Sequence, residues 1–199
     1  MSFQFEKKFI FFATNNINKF NEARKILAEY KIAVGMLRAK TIEIQDETLD
    51  NIASASAEES FRECHLPIIV EDAGLFIKAL NGFPGPYAAY VYKTIGNEGL
   101  LKIMKNVNQR EAKFESVVAY RSARLKHPIC FKGNVIGEIT LKQLRRKNNE
   151  GFGFDPIFKP SHSHKTFAEM PIEDKNAYSH RAVALRRFAK WHKERFSSK

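Results

Sequence analysis

The sequence predicts a mixed α/β protein, and three observations support that class. Short apolar runs of strand length alternate with helical patterns in the first part of the chain, as in βαβ units. Runs of strand type then follow one another in the middle of the chain, which indicates an antiparallel portion of the sheet. An amphipathic pattern typical of a helix closes the chain.

The elements follow from the spacing of apolar residues and turn residues. The first half is predicted to contain a strand at residues 9–13, a turn at 15–18, a helix at 19–30, a weak strand at 41–45, a helix at 49–64 and a strand at 66–70. The second half is predicted to contain a turn-rich loop at 81–86, a helix at 97–105, strands at 114–120, 129–131 and 135–140, loops at 151–155 and 161–164, and a helix at 179–196. No repeat or linker interrupts this order, so a single domain over residues 1–199 is expected.

The composition excludes several classes of protein. The hydrophobic share of 44% is ordinary for a globular chain, and no run approaches the ~20 apolar residues of a membrane span. The apolar residues 9–13 lack the features of a signal peptide. Cys64 and Cys130 show no metal-binding spacing, so neither a disulfide scaffold nor a zinc module is expected, and the expected location is a reducing cytoplasm.

The net charge of +11 points to an anionic partner. Basic residues concentrate after residue 180 and at residues 144–147, without the interleaved aromatic residues of a base-stacking surface. A specific nucleic-acid partner is therefore not expected, whereas an anionic small substrate would gain from the positive field. Non-specific binding of RNA stays open as an alternative.

The charged run at residues 165–181 contains side chains that suit an anionic ligand such as a phosphate ester. Its potential cations are Lys165, Lys175, His180 and Arg181, and its acids are Glu169, Glu173 and Asp174, with Asp155 just upstream. The run lies just before the predicted last helix, which would hold it rigidly. A solvated charged loop is the alternative.

The turn between the first strand and the first helix has the sequence TNNINK. It comprises Thr14, Asn15, Asn16, Ile17, Asn18 and Lys19. The first N–H groups of a helix have no partner within the helix, and Lys19 adds a positive charge, so the turn is a natural anion site. It lacks the glycines of a P-loop, and an ordinary Asn-rich turn is the alternative.

Glu71 and Asp72 follow the strand at residues 66–70, at the edge where open α/β sheets bind ligands. If the strand continues, the two carboxylates point to opposite sides, so one faces a site and the other a structural partner or solvent. Carboxylate oxygens suit Mg²⁺, and Glu43 or Glu47 offers a further ligand. Two carboxylates with Mg²⁺ bind a triphosphate and activate water. Solvated acids at the end of a strand are the alternative.

The segment GFGFDP at residues 151–156 offers groups that suit a nucleotide base. Phe152 and Phe154 present flat apolar faces, Gly153 permits unusual backbone angles, and Asp155 accepts a hydrogen bond from a ring N–H. The segment does not match the dinucleotide fingerprint. A core-packing loop is the alternative, because the chain contains 17 Phe residues.

Taken together and in order, these stretches resemble four motifs of the inosine triphosphate pyrophosphatase family. Four ordered motifs at family spacing are far more specific than any one of them, and they cover nearly the whole chain. The matching residues are Thr14, Asn16 and Lys19; Asp72, Gly74, Leu75, Ala79, Leu80, Gly82, Pro84, Gly85 and Tyr87; Gly153, Phe154, Asp155, Pro156 and Phe158; and Ala168, Glu169, Met170, Lys175, Asn176, Ser179, His180 and Arg181.

The resemblance implies a reaction and a shape. A non-standard purine nucleoside triphosphate, such as ITP, dITP, XTP or dXTP, is cut between its α- and β-phosphates with Mg²⁺, giving the monophosphate and pyrophosphate. The implied fold is a mixed α/β structure of two lobes around a central substrate cleft, usually assembled as a homodimer.

The resemblance also implies roles for single residues. Residues 14–19 would hold phosphates, Asp72 would be the metal ligand and catalytic base, and Glu43 would be a second, more loosely aligned Mg²⁺ ligand. Phe152, Gly153, Phe154 and Asp155 would line the base pocket, and Lys175, His180 and Arg181 would contact the base and phosphates. Arg181→Ala is then expected to lower the preference for ITP over ATP more than it lowers the chemistry.

The chain departs from the family pattern in its phosphate contacts. Ala73 stands at a substrate-binding position where the family has Ser, so one hydroxyl contact is missing. Residues 88–90 lack the family's Ser and Arg, and residues 51–60 lack its Lys. Two alternatives therefore stay open: a nucleotide- or RNA-binding protein without catalysis, and a related hydrolase with a different base preference.

Overall fold

A computed structural model of the chain describes residues 6, 8–38, 44–146 and 152–197. The described strands are β1 (Phe9–Ala13), β2 (Ala33–Leu37), β3 (Ile68–Ile77), β4 (Pro84–Gly85), β5 (Glu111–Arg121), β6 (Ile129–Ile139) and β7 (Phe158–Pro160). The α-helices described after residue 8 are α1 (Ile17–Ala28), α2 (Leu49–Cys64), α3 (Ala88–Thr94), α4 (Gly96–Ile103), α5 (Ile172–Tyr178) and α6 (His180–Ser197). Short 3₁₀ helices cover Lys78–Leu80, Asp155–Ile157 and Phe167–Glu169.

The described strands form one mixed sheet in the order β2-β1-β3-β5-β6-β7, with β4 paired to β3. Strand β1 runs parallel to both β2 and β3, as the early βαβ pattern predicts, and Phe11 lies opposite Ile68. Strand β4 is antiparallel to β3, and β7 is antiparallel to β6. The predicted mixed α/β class is therefore confirmed.

The chain divides into two compact units. The first unit consists of Met1–Asp72, Ser116–Gly133 and His180–Lys199, and the second consists of Ala73–Glu115 and Asn134–Ser179. The chain passes from the first unit to the second within β3, after Asp72. The prediction of a single domain over residues 1–199 stays a prediction.

The core of the first unit contains residues from β1, α1, β3, β5 and α6. In β1, Ile10 and Phe12 alternate with half-buried residues and are fully buried. Helix α1 buries Ala23, Ile26 and Leu27, which share one face at helical spacing. The core therefore holds α1 and its N-terminal turn firmly against the sheet.

The core of the second unit is rich in aromatic rings. Phe158 lies between two other rings, with its centroid 4.6 Å from that of Phe114 and 5.4 Å from that of Phe167. Phe154 also belongs to this core, where Tyr92 packs edge-on against it at 5.5 Å. Many of the Phe residues thus serve packing.

The strands differ from the predicted ones in several places. The strands predicted at residues 129–131 and 135–140 are one strand, β6, and β4 and β7 were not predicted. Strand β3 continues through Glu71 and Asp72 to Ile77, so the two acids lie inside a strand and not at its end. Strand β2 was not predicted, because its residues are only partly buried and lack alternation. Of the strand predicted at residues 41–45, positions 44 and 45 are not in a strand, and positions 41–43 lie outside the described residues.

The helices agree with the sequence more closely. The helix predicted at residues 49–64 is confirmed, and the last helix begins one residue later than predicted. Helix α1 begins two residues earlier because the Asn16 side chain caps it. Helix α3 was not predicted. Within the described part of the chain, no helix has both the length and the apolar character needed to span a membrane.

Candidate active site

The turn between β1 and α1 is ordered by its own side chains. The Asn16 amide oxygen accepts hydrogen bonds from the backbone N–H groups of Asn18 (3.0 Å) and Lys19 (3.2 Å). The Asn16 N–H donates to the Thr14 hydroxyl at 3.1 Å. The cap thus uses two N–H groups that an anion would otherwise meet at the start of α1. Asn15, Ile17 and Asn18 are exposed.

The Lys19 side chain links this turn to β3. Its ammonium lies 2.9 Å from Glu71 Oε2 and donates to the Glu71 backbone carbonyl at 3.1 Å. Because β3 continues, the neighbouring acids alternate: Glu71 is buried, whereas Asp72 is half-buried. The strand continues, as the predicted division of the two carboxylates requires, and Glu71 faces structural partners; that Asp72 faces a site stays a prediction.

Arg181 and Ser116 complete the surroundings of Glu71. The Arg181 guanidinium lies 3.1 Å from Glu71 Oε1 and 2.5 Å from Glu22 Oε2, and the Ser116 hydroxyl donates to Glu71 Oε1 at 2.6 Å. Burial alone would raise the pKa of the Glu71 carboxyl. The charges of Arg181 and Lys19 and the Ser116 hydrogen bond outweigh burial and hold that pKa well below its usual range. Glu71 is therefore a buried carboxylate and not a protonated acid.

The first turn of α6 places His180 and Arg181 in the interior. Gly133 in β6 permits this approach, because a Cβ atom at that position would collide with the His180 carbonyl and the backbone of Ala184. His180 is buried, and only 2% of the Arg181 side chain is exposed. The family resemblance implies that Arg181 contacts the substrate, which stays a prediction; its guanidinium contacts Glu71 and Glu22.

Asp72 suits a hard cation. It is the half-buried neighbour of Glu71, and its oxygens are of the type that Mg²⁺ prefers. Glu47 is exposed, and Glu43 lies outside the described residues. Among the described residues, no three His, Cys, Asp or Glu side chains group together as a metal site. The single half-buried acid Asp72 still fits Mg²⁺, because Mg²⁺ is usually held by one or two protein carboxylates and keeps several waters.

The segment at residues 152–155 is held by two buried polar side chains of the second unit. Asp155 Oδ2 accepts from the Lys175 ammonium at 2.6 Å and from the Phe152 N–H at 3.3 Å. Asn97 Nδ2 donates to the Gly153 carbonyl at 3.1 Å. Gly153 has a φ of +57°, in the left-handed region that favours glycine. The backbone of this segment is thus fixed from both sides.

The two phenylalanines of this segment differ in exposure. Phe152 is half-buried, whereas Phe154 is buried in the aromatic core. Phe154 packs in the core, which is the alternative that the sequence left open for this segment. Of the two rings, Phe152 keeps the exposure needed to offer a face to a base, and that role stays a prediction. Ala73 is half-buried and carries no hydrogen-bonding group.

The charged run at residues 165–181 does not converge as a whole. Lys165 is exposed, Lys175 pairs with Asp155, and Arg181 pairs with acids of β3 and α1. The Glu169 carboxylate accepts from the Thr166 N–H and hydroxyl, at 2.8 and 3.0 Å. Asp155, just upstream of the run, holds the Lys175 ammonium at 2.6 Å.

Three side chains that contact candidate site residues were not identified from the sequence: Glu22, Ser116 and Asn97. Glu22 shares the apolar face of α1 with Ala23 and Ile26, and a charged residue on such a face signals a buried partner. Ser116 interrupts an apolar alternation in β5 in the same way. Asn97 gives no such signal, because its contact depends on the distant Gly153.

Residues 10–191 match the sequence model of the Ham1 family. The chain belongs to the Ham1 family. A dITP/XTP pyrophosphatase of Methanopyrus kandleri is 47% identical to it over 184 residues, which are 92% of this chain and 96% of that protein. A dITP/XTP pyrophosphatase of Thermococcus kodakarensis is 44% identical over 183 residues, again 92% of this chain and 96% of that protein.

A solved structure extends the Ham1 likeness to the fold. The Staphylococcus aureus Ham1 protein is 28% identical to this Ham1 chain, with a TM-score of 0.79, and the match covers 94% of this chain and all of that one. The resemblance predicted from the four ordered motifs is therefore confirmed.

Proposed function

We propose that this chain hydrolyses non-standard purine nucleoside triphosphates between the α- and β-phosphates, giving the monophosphate and pyrophosphate. The substrates are dITP and XTP, together with ITP and dXTP. The names of relatives that match this chain almost end to end support the proposal. The single observation that carries it is the position of the Lys19 ammonium, 2.9 Å from the carboxylate of Glu71, the residue before Asp72. A phosphate-binding cation and a catalytic acid are thus tied to one strand.

The phosphates are held by the β1–α1 turn, residues 14–19. Lys19 supplies positive charge, and phosphoryl transfer depends mainly on such positioning and charge neutralisation. Thr14 and Asn16 shape the turn through their hydrogen bonds. The Asn16 cap already uses two N–H groups, so the Lys19 ammonium is the main donor to the phosphates.

Asp72 accepts the proton of the attacking water. The half-buried carboxylate remains accessible, whereas its neighbour Glu71 is committed to buried cations. Asp72 and Glu43 would hold Mg²⁺, which supplies Lewis-acid stabilisation of charge on the phosphate oxygens.

Base recognition is assigned to residues 152–155, with His180 as a further contact that the family resemblance implies. Phe152 offers a face for stacking, and Asp155, fixed by Lys175, offers an acceptor to a ring N–H. His180 donates to the 6-oxo group, which adenine lacks, and an unpaired donor facing an amino group discriminates strongly. Arg181 acts on recognition through Glu71, since little of its own surface is exposed. Ala73 contributes contact without a hydrogen bond.

The assembly and location follow the family expectation. We propose a single functional domain over residues 1–199, acting as a cytoplasmic homodimer on small nucleotides and not on nucleic acid. Size-exclusion chromatography with light scattering tests the dimer, and a mass equal to one chain would rule it out.

The deciding experiment incubates the purified chain with Mg²⁺ and a panel of dITP, XTP, ITP, ATP, GTP and pyrimidine triphosphates, and measures pyrophosphate. Release from dITP and XTP at rates well above that from ATP is expected. Equal turnover of ATP would refute the proposed selectivity for non-standard purines. Preferred turnover of a pyrimidine triphosphate would favour the alternative of a related hydrolase with a different base preference. Salt-dependent RNA binding without pyrophosphate release would favour the non-catalytic alternative.

Asp72→Asn tests the assignment of the base. The variant keeps the shape of the half-buried side chain but neither accepts a proton nor offers the same charge to Mg²⁺, so kcat is expected to fall by about 10³-fold or more. Circular dichroism should show an unchanged melting temperature within a few degrees. Activity near that of the wild type would refute the role of Asp72.

A further inference from the structure

We propose that Glu71 is a positioning residue, which sets the place of the Lys19 ammonium against the strand that carries Asp72. This role rests on the proposed function, in which Lys19 holds phosphates and Asp72 activates water. The buried Glu71 carboxylate is then the link between phosphate binding and the attacking water.

The contacts of Glu71 account for both of its oxygens. Oε2 lies 2.9 Å from the Lys19 ammonium. Oε1 accepts from the Ser116 hydroxyl at 2.6 Å and lies 3.1 Å from the Arg181 guanidinium. Each oxygen therefore faces a donor, and the carboxylate has one orientation that satisfies them all.

The backbone of Glu71 adds a second hold on the same ammonium. Lys19 Nζ donates to the Glu71 carbonyl at 3.1 Å, so the ammonium is fixed by main chain and side chain together. Among the described residues it has no third partner, and 18% of the Lys19 side chain is exposed. An ammonium has three donors, so one is left for a phosphate oxygen.

The charges of the group balance. Lys19 and Arg181 provide two cations, and Glu71 and Glu22 provide two carboxylates, of which only Glu71 contacts both cations. If Glu71 were neutral, Lys19 would lose its charged partner and Arg181 would retain Glu22. Glu22 contacts Arg181, whereas the contacts of Lys19 among the described residues are with Glu71, so Glu22 provides a matched comparison at the other end of the same ion-pair chain.

The matched variants are Glu71→Gln and Glu22→Gln. Both replace a buried carboxylate partner of Arg181 by an amide of the same shape, but only Glu71→Gln places an NH₂ group against one of the donors around Glu71. Losing a charge-assisted hydrogen bond corresponds to roughly a ten- to hundredfold change, so the KM for dITP of Glu71→Gln is expected to rise by roughly that factor. Glu22→Gln is expected to lower the melting temperature and keep the KM within about threefold.

A double-mutant cycle with Lys19→Met tests whether Glu71 acts through Lys19. In the Lys19→Met background, Glu71→Gln should add little further increase in KM, whereas independent effects would multiply. Ser116→Ala should give a smaller increase than Glu71→Gln, since the carboxylate keeps both cations. All variants are measured at a temperature at which circular dichroism shows them folded.

Four outcomes decide between the roles. A lowered melting temperature with unchanged KM in folded Glu71→Gln would show that Glu71 serves only the fold, and multiplicative effects in the cycle would separate it from Lys19. The affinity for dITP, measured by calorimetry, compares the same variants by a quantity that does not depend on turnover. A wild-type chain that binds dITP without releasing pyrophosphate ends the proposed function, and the affinities of the two Gln variants then decide the role of Glu71. Absence of dITP binding overturns both proposals.

Discussion

In the first unit, Arg181 and Lys19 share the Glu71 carboxylate, and Lys19 keeps 18% of its side chain exposed. In the second unit, Lys175 and Asp155 pair at 2.6 Å with only 6% and 7% of their side chains exposed. The first arrangement ends in a partly exposed cation with a spare donor, whereas the second encloses both charges. The first is therefore suited to meet an incoming anion, and the second to hold a backbone segment in place.

The enclosed pair also has a local target that the open arrangement lacks. Asp155 Oδ2 accepts from the Phe152 N–H as well as from Lys175, so the pair fixes the loop that carries Gly153. Buried ion pairs cost desolvation energy that their attraction only partly repays, so they are better explained by the geometry they impose than by net stability. Both units use buried charge to position a segment of the chain.

Arg181→Met is expected to have the largest effect on stability, because it leaves two buried carboxylates, Glu71 and Glu22, without their shared cation. Breaking a buried ion pair costs about 3–5 kcal/mol, and this variant breaks two contacts. Urea unfolding measures the loss. Arg186→Met, which removes a partly exposed pair with Glu29 on the same helix, is the control and should cost less than about 1 kcal/mol.

The same variant tests the recognition role predicted from the sequence. Where Arg181→Met or Arg181→Ala remains folded, the ratio of ITP to ATP turnover should fall. A stable, folded Arg181 variant with an unchanged ratio would show that the residue serves neither the buried carboxylates nor base selection.

Lys175→Met is expected to cost less than Arg181→Met, since it breaks the ion pair with one buried carboxylate, Asp155, and the Phe152 N–H still reaches that carboxylate. The loss should be about 3 kcal/mol in urea unfolding. Lys159→Met removes a largely exposed pair with Glu138 in the same unit and is the matched control. If Lys175→Met lowers the free energy of unfolding as much as Arg181→Met does, the number of buried ion-pair contacts broken does not determine the loss.

The sequence predicted the mixed sheet more reliably than it predicted which side chains the candidate site residues touch. The spacing of α2 and the alternation in β1 are local properties, so they could be predicted. The contacts of Arg181 with Glu22 and Glu71 join residues far apart in the chain, and no local pattern encodes them. Motif order located Asp72, but only the continuation of β3 past it shows why Glu71 faces inward.

His192 contrasts with both charged groups, because it is a buried titratable side chain packed among aromatic rings. The rings of Phe188 and Phe196 lie 5.4 and 4.6 Å away. Burial, opposed only in part by Glu6, lowers the pKa of His192 to about 4. The unfolded chain binds a proton near pH 6.5, so it takes up more protons than the folded chain between these values.

Stability should therefore be fully present above about pH 6.5 and fall as the pH drops toward about 4, by up to about 3 kcal/mol for this group. His192→Phe should flatten that part of the profile of unfolding free energy against pH. His127→Phe, at a site outside this aromatic cluster, serves as the control. An unchanged slope in His192→Phe would assign the acid sensitivity to carboxylates instead.

Asn97→Ala is expected to have the smallest effect on stability. It tests whether the loop at residues 152–155 depends on the uncharged Asn97 side chain as well as on the Lys175–Asp155 ion pair. The variant removes the 3.1 Å hydrogen bond to the Gly153 carbonyl, a loss of about 1 kcal/mol. The Asn97 Oδ1 atom is buried without a hydrogen-bond partner among the described residues, so its removal offsets part of that loss. Glu98→Ala, at the exposed neighbouring position of α4, is the control. A several-fold rise in the KM for dITP with little change in stability would show that Asn97 positions the base-binding loop, whereas unchanged KM would leave that task to Asp155 and Lys175.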